Sequence, residues 1–313
     1  MSEKINDAAV SVCIPVYNNS DYVKETMRSV LSSDYPDIEL VIVDDNSKDD
    51  SLDVIRKAAS DFVNRGLASK YYDFSSVGNS SAEEYSERIS SESEHSHTIF
   101  IFHNEKNLGM SGNWNRCLSL CRGKYIKLIC ADDLIDETLI SREVKVLDEN
   151  PEVLSVESDT EFRDSAGKSQ GYYKRYKKNG IVDGKEIAKY SLFHRDYLGA
   201  PLANMFRKFA YDTFGGFDPE FSYIIDYEFF MRLAVNGKVF IIHEPLNFFR
   251  IREDSNTGKV LKGDKGEAYV KEHEKLVKKY QNVLGLSDGE VRKSVRIRKI
   301  MNVLGRLYLK LHL

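Results

Sequence analysis

The chain has 313 residues, 42% of them hydrophobic and 30% charged, with a formal net charge of -4. This composition is typical of a globular protein with a sizeable core, and it gives no indication of nucleic-acid binding. No apolar run approaches the roughly 18 residues of a membrane span, and the polar residues 1–8 do not resemble a signal peptide. The four cysteines form no C-x-x-C pair. We therefore expect a cytoplasmic protein with reduced thiols.

The first half of the chain alternates short apolar runs with apolar residues at helical spacing. Strands that alternate with helices predict a parallel sheet with right-handed crossovers. Neither of the first two strands is followed by G-x-G-x-x-G, which disfavours the usual dinucleotide-binding fold. The predicted strands are residues 10–18, 38–43, 98–102 and 125–130, and the predicted helices are residues 22–33, 52–62 and 114–122.

Two segments between these elements are predicted to be irregular. Residues 68–97 are rich in Ser and Glu and indicate an exposed insertion. Residues 104–113 contain Gly109 and Gly112, which favours a loop that a phosphate group can approach closely before the next helix begins.

Two of the predicted strands end in adjacent carboxylates, Asp44–Asp45 and Asp132–Asp133. Ligands of open α/β sheets bind beyond the carboxyl ends of the strands. Adjacent acids repel each other unless a positive group joins them, and their hard oxygen atoms suit Mg²⁺ or Mn²⁺ carrying a nucleotide diphosphate. The alternative is that the second pair ends a strand and caps the following helix.

The second half of the chain predicts further strands and helices. Residues 165–168 resemble a hairpin turn after a long strand, and acids stand at the start of the helix that begins at Asp226. The predicted helices are residues 138–147, 185–194 and 226–234, and the predicted strands are residues 153–163, 239–242 and 247–252.

The last segment, residues 265–313, is predicted to be helical and basic. From Val291 onward, lysines and arginines interleave with aliphatic residues. Such a helix can lie on an anionic membrane surface, or it can pack on the protein with a solvated basic face. The sequence leaves both interpretations open.

Together these features resemble family 2 of the glycosyltransferases, which are inverting enzymes with the GT-A fold. The resemblance covers most of the first 255 residues. It implies an α/β, Rossmann-like fold with a mixed, mainly parallel sheet flanked by helices and a C-terminal helical extension. The motifs that carry it are residues 12–18, 43–47, 107–109, 113–116, 123–126, 215–218 and 226–228.

The resemblance also implies a division into three parts. Residues 1–136 would form the nucleotide-sugar-binding half, residues 137–260 the acceptor-binding half, and residues 261–313 the helical extension. The donor would be a UDP-, GDP- or dTDP-sugar, and the acceptor a sugar or a lipid-linked sugar. The protein would be located in the cytoplasm, and its C-terminal helix would be a candidate for peripheral contact with the inner face of the membrane.

Site residues follow from the resemblance one by one. Tyr17 would flank the nucleotide base beside Pro15, and Asp45 would hydrogen-bond the base. Asp132 would face the ribose or the metal. The metal ligand between the phosphates would be Asp133, the cofactor Mn²⁺ or Mg²⁺, and the general base Asp226.

Three positions depart from the family pattern. Cys130 stands where the first acid of the metal motif is often found, and Ile225 precedes Asp226 in place of a glutamate. A histidine is often found where Arg252 stands. Arg250 and Arg252 could bind the diphosphate directly, which would reduce the dependence on metal.

The function implied is transfer of a sugar from a nucleotide-sugar to an acceptor hydroxyl with inversion, in surface polysaccharide or glycolipid synthesis. One alternative is a non-catalytic carbohydrate- or nucleotide-binding protein on a decayed transferase fold, against which the four acids Asp45, Asp132, Asp133 and Asp226 argue. A nucleotidyltransferase is disfavoured because residues 14–19 contain no Gly, Lys or Arg. A hydrolase with paired carboxylates remains a third possibility.

Overall fold

The computed structural model of the protein describes residues 9–75, 97–252 and 266–312, with side chains described up to residue 304. Within this part, eleven strands form one sheet in the order β3-β4-β2-β1-β5-β10-β7-β11-β6, while β8 pairs with β7 and β9 with β11. The strands are β1 Val10–Val16, β2 Ile38–Asp44, β3 Lys70–Asp73, β4 Thr98–His103, β5 Tyr125–Leu128, β6 Leu134–Ile135, β7 Val153–Arg163, β8 Ser169–Tyr173, β9 Gly180–Asp183, β10 Asn204–Arg207 and β11 Lys238–Arg250.

Helices cover the faces of this sheet. They are α1 Val23–Leu31, α2 Ser51–Asn64, α3 Gly109–Leu120, α4 Leu139–Glu149, α5 Gly184–Phe193, α6 Lys208–Phe214, α7 Ile225–Val235, α8 Gly266–Tyr280 and α9 Asp288–His312. Strands β3, β4, β2, β1 and β5 are parallel, β10 runs antiparallel between β5 and β7, and β11 is again parallel to β7. The predicted mixed, mainly parallel sheet with a helical C-terminal segment is therefore confirmed.

The central strands are buried on both faces. Every residue of β1 and β2 is buried, which explains why their sequences are apolar runs without alternation. One apolar core lies between the sheet and α1, α2 and α4, and the other between the sheet and α3, α5, α7 and α8. The second core contains Cys13, Cys117 and Cys121 as free thiols, in agreement with the predicted reduced state.

The structure differs from the sequence predictions in three elements. Strand β3 lies inside the segment predicted as an insertion, where Tyr72 stacks on Phe100 of β4 with ring centroids 5.4 Å apart. Residues 76–96 of that segment lie outside the described residues. Helix α3 begins at Gly109, inside the predicted loop. The two late strands are one strand, β11, whose register against β7 shifts around Pro245 because proline cannot donate to the ladder.

An ion pair is buried beneath the sheet. Lys127 of β5 donates to the Glu143 carboxylate of α4 at 2.9 Å, and neither side chain is exposed. Burial lowers the pKa of Lys127 and raises that of Glu143 to about 7. Removal of one partner would leave the other charge without compensation in the core.

We therefore expect Lys127→Met to lower the free energy of unfolding by about 3 kcal/mol in urea denaturation. The double variant Lys127→Met/Glu143→Leu is expected to recover most of this loss, because no charge is then buried. The control is Lys145→Met, which changes an exposed lysine of α4, the helix that carries Glu143. This variant should change the free energy of unfolding by no more than about 0.5 kcal/mol. A double variant as unstable as the single one would contradict the interpretation.

Candidate functional site

Asp45 lies directly after β2, at the carboxyl ends of the parallel strands. Its carboxylate accepts hydrogen bonds from the backbone N–H groups of Leu108 at 2.8 Å and Gly109 at 3.0 Å, and from Asn104 Nδ2 at 2.8 Å. N–H groups at the start of a helix have no carbonyl partner within that helix, so the Asp45 carboxylate caps the start of α3. The Gly109 N–H also lies 3.1 Å from Asn107 Oδ1. Both oxygen atoms of Asp45 thus accept hydrogen bonds from the protein, and its hydrogen bond to a nucleotide base stays a prediction.

Asp44, which sequence reasoning passed over, has an acceptor available. Its Oδ2 accepts from the Ser47 backbone N–H at 3.1 Å and lies 2.8 Å from His103 Nδ1. Its Oδ1 is buried and has no hydrogen-bond partner among the described residues. A buried acceptor without a donor is costly, so this oxygen is suited to an N–H group of a ligand. The sequence pattern marked the acid pair, but it did not indicate which member has a buried oxygen without a partner among the described residues.

The loops after β1 and β2 place Tyr17 at the same edge. Tyr17 is 45% exposed, whereas Pro15 is buried within β1 opposite Val43. The two loops are joined because the Asn18 backbone N–H donates to Ser47 Oγ at 3.0 Å. The predicted base-flanking position of Tyr17 therefore lies next to the loop that follows Asp44.

Asp132 and Asp133 follow β5, and the end of β11 holds them in place. Asp133 Oδ1 accepts from the Arg250 backbone N–H at 3.1 Å, and the Arg250 Nε donates to the Asp132 carbonyl oxygen at 2.9 Å. Arg250 Nη2 pairs with Glu25 of α1 at 2.7 Å. Burial and the neighbouring charge of Asp132 raise the pKa of Asp133 well above its usual range. Arg250 thus positions the acidic turn and has little freedom to reach a diphosphate.

Arg252 lies beside the outer carboxylate of this turn. Its Nη1 is 3.2 Å from Asp132 Oδ2 and donates to Asn19 Oδ1 at 2.8 Å. The guanidinium also lies over the Tyr22 ring, 4.5 Å from the centroid. A cavity of about 170 Å³, lined in part by Arg250 and the turn between β7 and β8, adjoins this region. The structure therefore brings the predicted arginines and the second acid pair together.

Asp226 occupies the first turn of α7. Its Oδ2 accepts from the Ala200 backbone N–H at 3.1 Å and its Oδ1 from the Tyr227 backbone N–H at 2.9 Å. Burial raises the pKa of Asp226. The charges of Asp133, Asp132 and Asp226 all add to burial in raising the pKa of the Cys130 thiol. Asp226 and the second acid pair therefore all lie close enough to Cys130, beyond the end of β5, to act on its thiol.

A second carboxylate, Asp196, lies beside Asp226. Asp196 comes from the loop after α5, and its pKa is raised to about 6 by burial and by the charge of Asp226. Sequence reasoning missed it because the loop carries no motif and thirty residues separate the two acids. The only feature of the sequence that could have indicated Asp196 is its position shortly before Leu198-Gly199-Ala200, a run of small and apolar residues.

The C-terminal helices also reach this region. The Tyr269 hydroxyl of α8 accepts from Arg298 Nη1 of α9 at 3.2 Å. Burial raises the pKa of Tyr269, and the charges of Asp196 and Asp226 add to this effect. The predicted helical extension therefore forms part of the surroundings of Asp226.

Comparison with known proteins gives a family for this arrangement. The sequence model of Glycosyl transferase family 2 matches residues 11–74 and 76–211, which is more than half of the chain. The chain is similar to an uncharacterized glycosyltransferase of Methanocaldococcus jannaschii, with 26% identity over 286 residues that cover 90% of this chain and 85% of that protein.

Solved structures share the fold. Staphylococcus aureus TarS residues 1–349 in complex with UDP-GlcNAc superposes with a TM-score of 0.64 at 17% identity, covering 91% of this chain and 70% of that one. The mannosyltransferase PcManGT from Pyrobaculum calidifontis, in complex with GDP-Man and Mn²⁺, gives a TM-score of 0.61 at 14% identity, covering 96% and 74%. From the sequence match and the fold, the chain belongs to glycosyltransferase family 2.

Proposed function

We propose that this glycosyltransferase moves a sugar from a nucleotide-sugar to an acceptor hydroxyl in a single displacement with inversion. The observation that carries the proposal is that Asp132, Asp133 and Asp226 all lie close enough to Cys130, beyond the end of β5, for their charges to raise the pKa of its thiol. The first two acids belong to the donor side of the sheet, and Asp226 belongs to α7 in the second half of the chain. A displacement needs this arrangement, because the leaving group and the attacking hydroxyl lie on opposite faces of the sugar.

The nucleotide is proposed to lie across the carboxyl ends of β1, β2 and β5. Asp44 Oδ1 would accept an N–H of the base, which supplies the partner that this buried oxygen lacks. Tyr17 would cover the base, because its ring is exposed at the same edge. The Asp132 side chain is 19% exposed beside Arg252, where a ribose hydroxyl or a diphosphate could approach.

Asp132 and Asp133 fit a divalent cation. Their oxygen atoms are the donors that Mg²⁺ and Mn²⁺ prefer, and a cation would offset the repulsion that raises the pKa of Asp133. In the described part of the chain, no group of three or more His, Cys, Asp or Glu side chains is placed to hold a metal. The remaining ligands would therefore come from the diphosphate and water. The cation would supply charge stabilisation for the leaving diphosphate, and Arg252 would add a guanidinium beside it.

Asp226 is proposed as the general base. A raised pKa makes its carboxylate a stronger proton acceptor, and its two backbone hydrogen bonds fix its orientation. Glu228, two residues further along α7, is fully buried and paired with Arg232 at 2.8 Å and Lys279 at 2.8 Å. This pairing leaves Asp226 as the acid in α7 that can meet an acceptor.

A thermal-shift panel tests the donor site with UDP, GDP and dTDP, each with and without Mn²⁺. One nucleotide is expected to raise the unfolding temperature by several degrees, because a ligand that binds only the folded state stabilises it. Asp132→Asn is expected to abolish the Mn²⁺-dependent part of the shift, and Asp44→Asn to weaken the nucleotide shift with or without Mn²⁺. Asp212→Asn, at an exposed position on α6, is the control. The absence of any shift in the wild type would contradict the proposed donor site.

Turnover tests the role of Asp226. Release of nucleoside diphosphate from UDP-, GDP- and dTDP-sugars is expected to fall at least about 10²-fold in Asp226→Asn, while the thermal shift with the nucleotide is retained. Glu267→Gln, in the exposed first turn of α8, is the matched control and should keep wild-type turnover. Retention of the shift without turnover in the wild type itself would favour a non-catalytic binding protein.

We also propose that α9 makes peripheral contact with a membrane, which would suit a lipid-linked acceptor. Its exposed residues combine bases with aliphatic side chains: Arg292, Lys293, Arg296, Lys299, Ile300, Met301, Val303 and Leu304. Its first turns pack on the protein through Val291, Ser294 and Val295. No helix within the described ranges has the length and apolar character needed to cross a bilayer, so the contact would lie at the surface.

Flotation with vesicles containing anionic lipid tests this contact. The triple variant Ile300→Ser/Val303→Ser/Leu304→Ser is expected to lose vesicle binding, because it removes the exposed apolar side chains without altering the packed turns. Phe209→Ser, a change of a 63% exposed aromatic residue on α6, is the control. Equal flotation of all three proteins would remove the membrane proposal.

A further inference from the structure

The loop that carries Asp196 is built around this carboxylate. Asp196 Oδ1 accepts hydrogen bonds from the backbone N–H groups of Leu198 at 3.0 Å and Gly199 at 2.7 Å. A Cβ atom on Gly199 would lie 2.2 Å from Asp196 Oδ2, so a side chain at this position would collide with the carboxylate. The loop therefore requires both the acid and the glycine.

The same loop orients Asp226. Ala200 has a φ of 66°, a left-handed conformation that is unusual for a residue with a side chain. In this conformation its backbone N–H donates to Asp226 Oδ2 at 3.1 Å. Asn204 Nδ2 donates to the carbonyl oxygen atoms of Leu198 and Ala200, each at 3.1 Å. The strained backbone thus serves to present one N–H group to the carboxylate.

A buried arginine fixes the loop from below. Arg175 is 4% exposed, and its Nη1 donates to the Gly199 carbonyl oxygen at 2.9 Å. Its other guanidinium nitrogens donate to Ser158 O at 3.3 Å and Thr160 Oγ1 at 3.0 Å. None of these acceptors is charged, so they do not neutralise the guanidinium of Arg175. Its positive charge therefore lowers the pKa of Asp196 and of Asp226.

From this geometry we propose that Asp196 is a positioning residue for the reaction. In this proposal Asp196 lies with Asp226 on the acceptor side of the site and fixes the backbone that orients Asp226. The protonation of Asp196 also depends on the protonation of Asp226. The proposal rests on the proposed role of Asp226 as general base. The structure thus assigns to the site a carboxyl pair contributed by two separate segments of the chain.

Two nearby carboxylates titrate as a pair, because ionisation of the first disfavours ionisation of the second. The pKa of Asp196 is raised to about 6 by burial and the charge of Asp226. Below this pH the pair retains a proton, and above it the negative charge of Asp196 makes Asp226 a stronger base. Catalysis should therefore increase as the pH rises through about 6.

Other ionisable groups face this pair from every neighbouring element. Arg175 lowers the pKa of both acids. Burial raises the pKa of the other groups, which are Cys130 after β5, Glu157 of β7, Tyr173 of β8, Tyr227 of α7, and Tyr269 of α8, behind which lies Arg298 of α9. The variant Asp196→Asn tests whether a pH effect near 6 belongs to the carboxyl pair.

The test compares pH profiles of turnover for the wild type and Asp196→Asn. An asparagine keeps the Oδ1 acceptor of the loop, so the fold is preserved while the charge is lost. In Asp196→Asn we expect the rise in turnover near pH 6 to disappear, so that turnover rises only once, at lower pH. The maximal turnover rate is expected to fall about tenfold. Asp73→Asn, which alters an aspartate with the same hydrogen bond to the second following residue at the far edge of the sheet, should keep the wild-type profile. An unchanged step with only a lower plateau would overturn the proposal.

A second measurement is independent of turnover. Carbon-13 NMR of aspartate-labelled protein follows the carboxyl group of Asp196, which is assigned by its absence in Asp196→Asn. In Asp226→Asn its titration is expected to move to lower pH by roughly one unit, because the neighbouring charge is gone. An identical titration in both proteins would overturn the pair, whereas a shifted titration without turnover in the wild type would overturn the proposed function alone.

Discussion

The repulsion between Asp132 and Asp133 is the constraint on which the rest of the site depends. Two adjacent carboxylates at the end of one strand destabilise the fold unless the surroundings offset their charge. Here the offset comes from the end of β11 and the residues after it, because the Arg250 backbone N–H donates to the Asp133 carboxylate and Arg252 Nη1 lies 3.2 Å from Asp132 Oδ2. The Arg250 side chain donates to the Asp132 backbone carbonyl oxygen. The ion pair with Glu25 extends this contact to α1. The first parallel strands and the late strand β11 are therefore held together at the acids themselves.

The capping of α3 is a second use of an acid at the strand ends. Asp45 accepts hydrogen bonds from the start of this helix, whereas Asp44 Oδ1 has no hydrogen-bond partner among the described residues. The two members of one acid pair thus differ: one stabilises the fold, and the other is the member proposed to bind the nucleotide base. The same division exists in the second pair, where Asp133 is buried and Asp132 lies beside Arg252.

Much of the fold could be predicted because its central strands are local patterns. Strands β1, β2 and β5 are short apolar runs, and their order with the helices determines a parallel sheet. Strand β3 could not be predicted, since half of its residues are exposed and its pairing depends on Tyr72 stacking across to Phe100. The start of α3 was missed because its cap, Asp45, lies more than sixty residues earlier in the chain.

The candidate site divides in the same way. The acids after β2 and β5 and at the start of α7 could be found, because each stands at the end of a recognisable element. Asp196 and the capping role of Asp45 depend on contacts between distant segments, and no local pattern records them. The sequence does not distinguish Asp44 from Asp45, because only the tertiary structure shows which of the two carboxylates caps the start of α3.

The conformation of Ala200 has a consequence for how an acceptor is received. A left-handed alanine is held against its own preference, so its neighbours must fix the loop before any ligand arrives. Hydrogen bonds from Arg175, Asn204 and the Asp196 turn do this in the free protein. If Asp226 is the general base proposed above, an acceptor hydroxyl would meet a carboxylate whose orientation is already determined, and the entropy of ordering this loop would not be lost on binding. Selectivity among acceptors would then depend on their fit to this preformed loop.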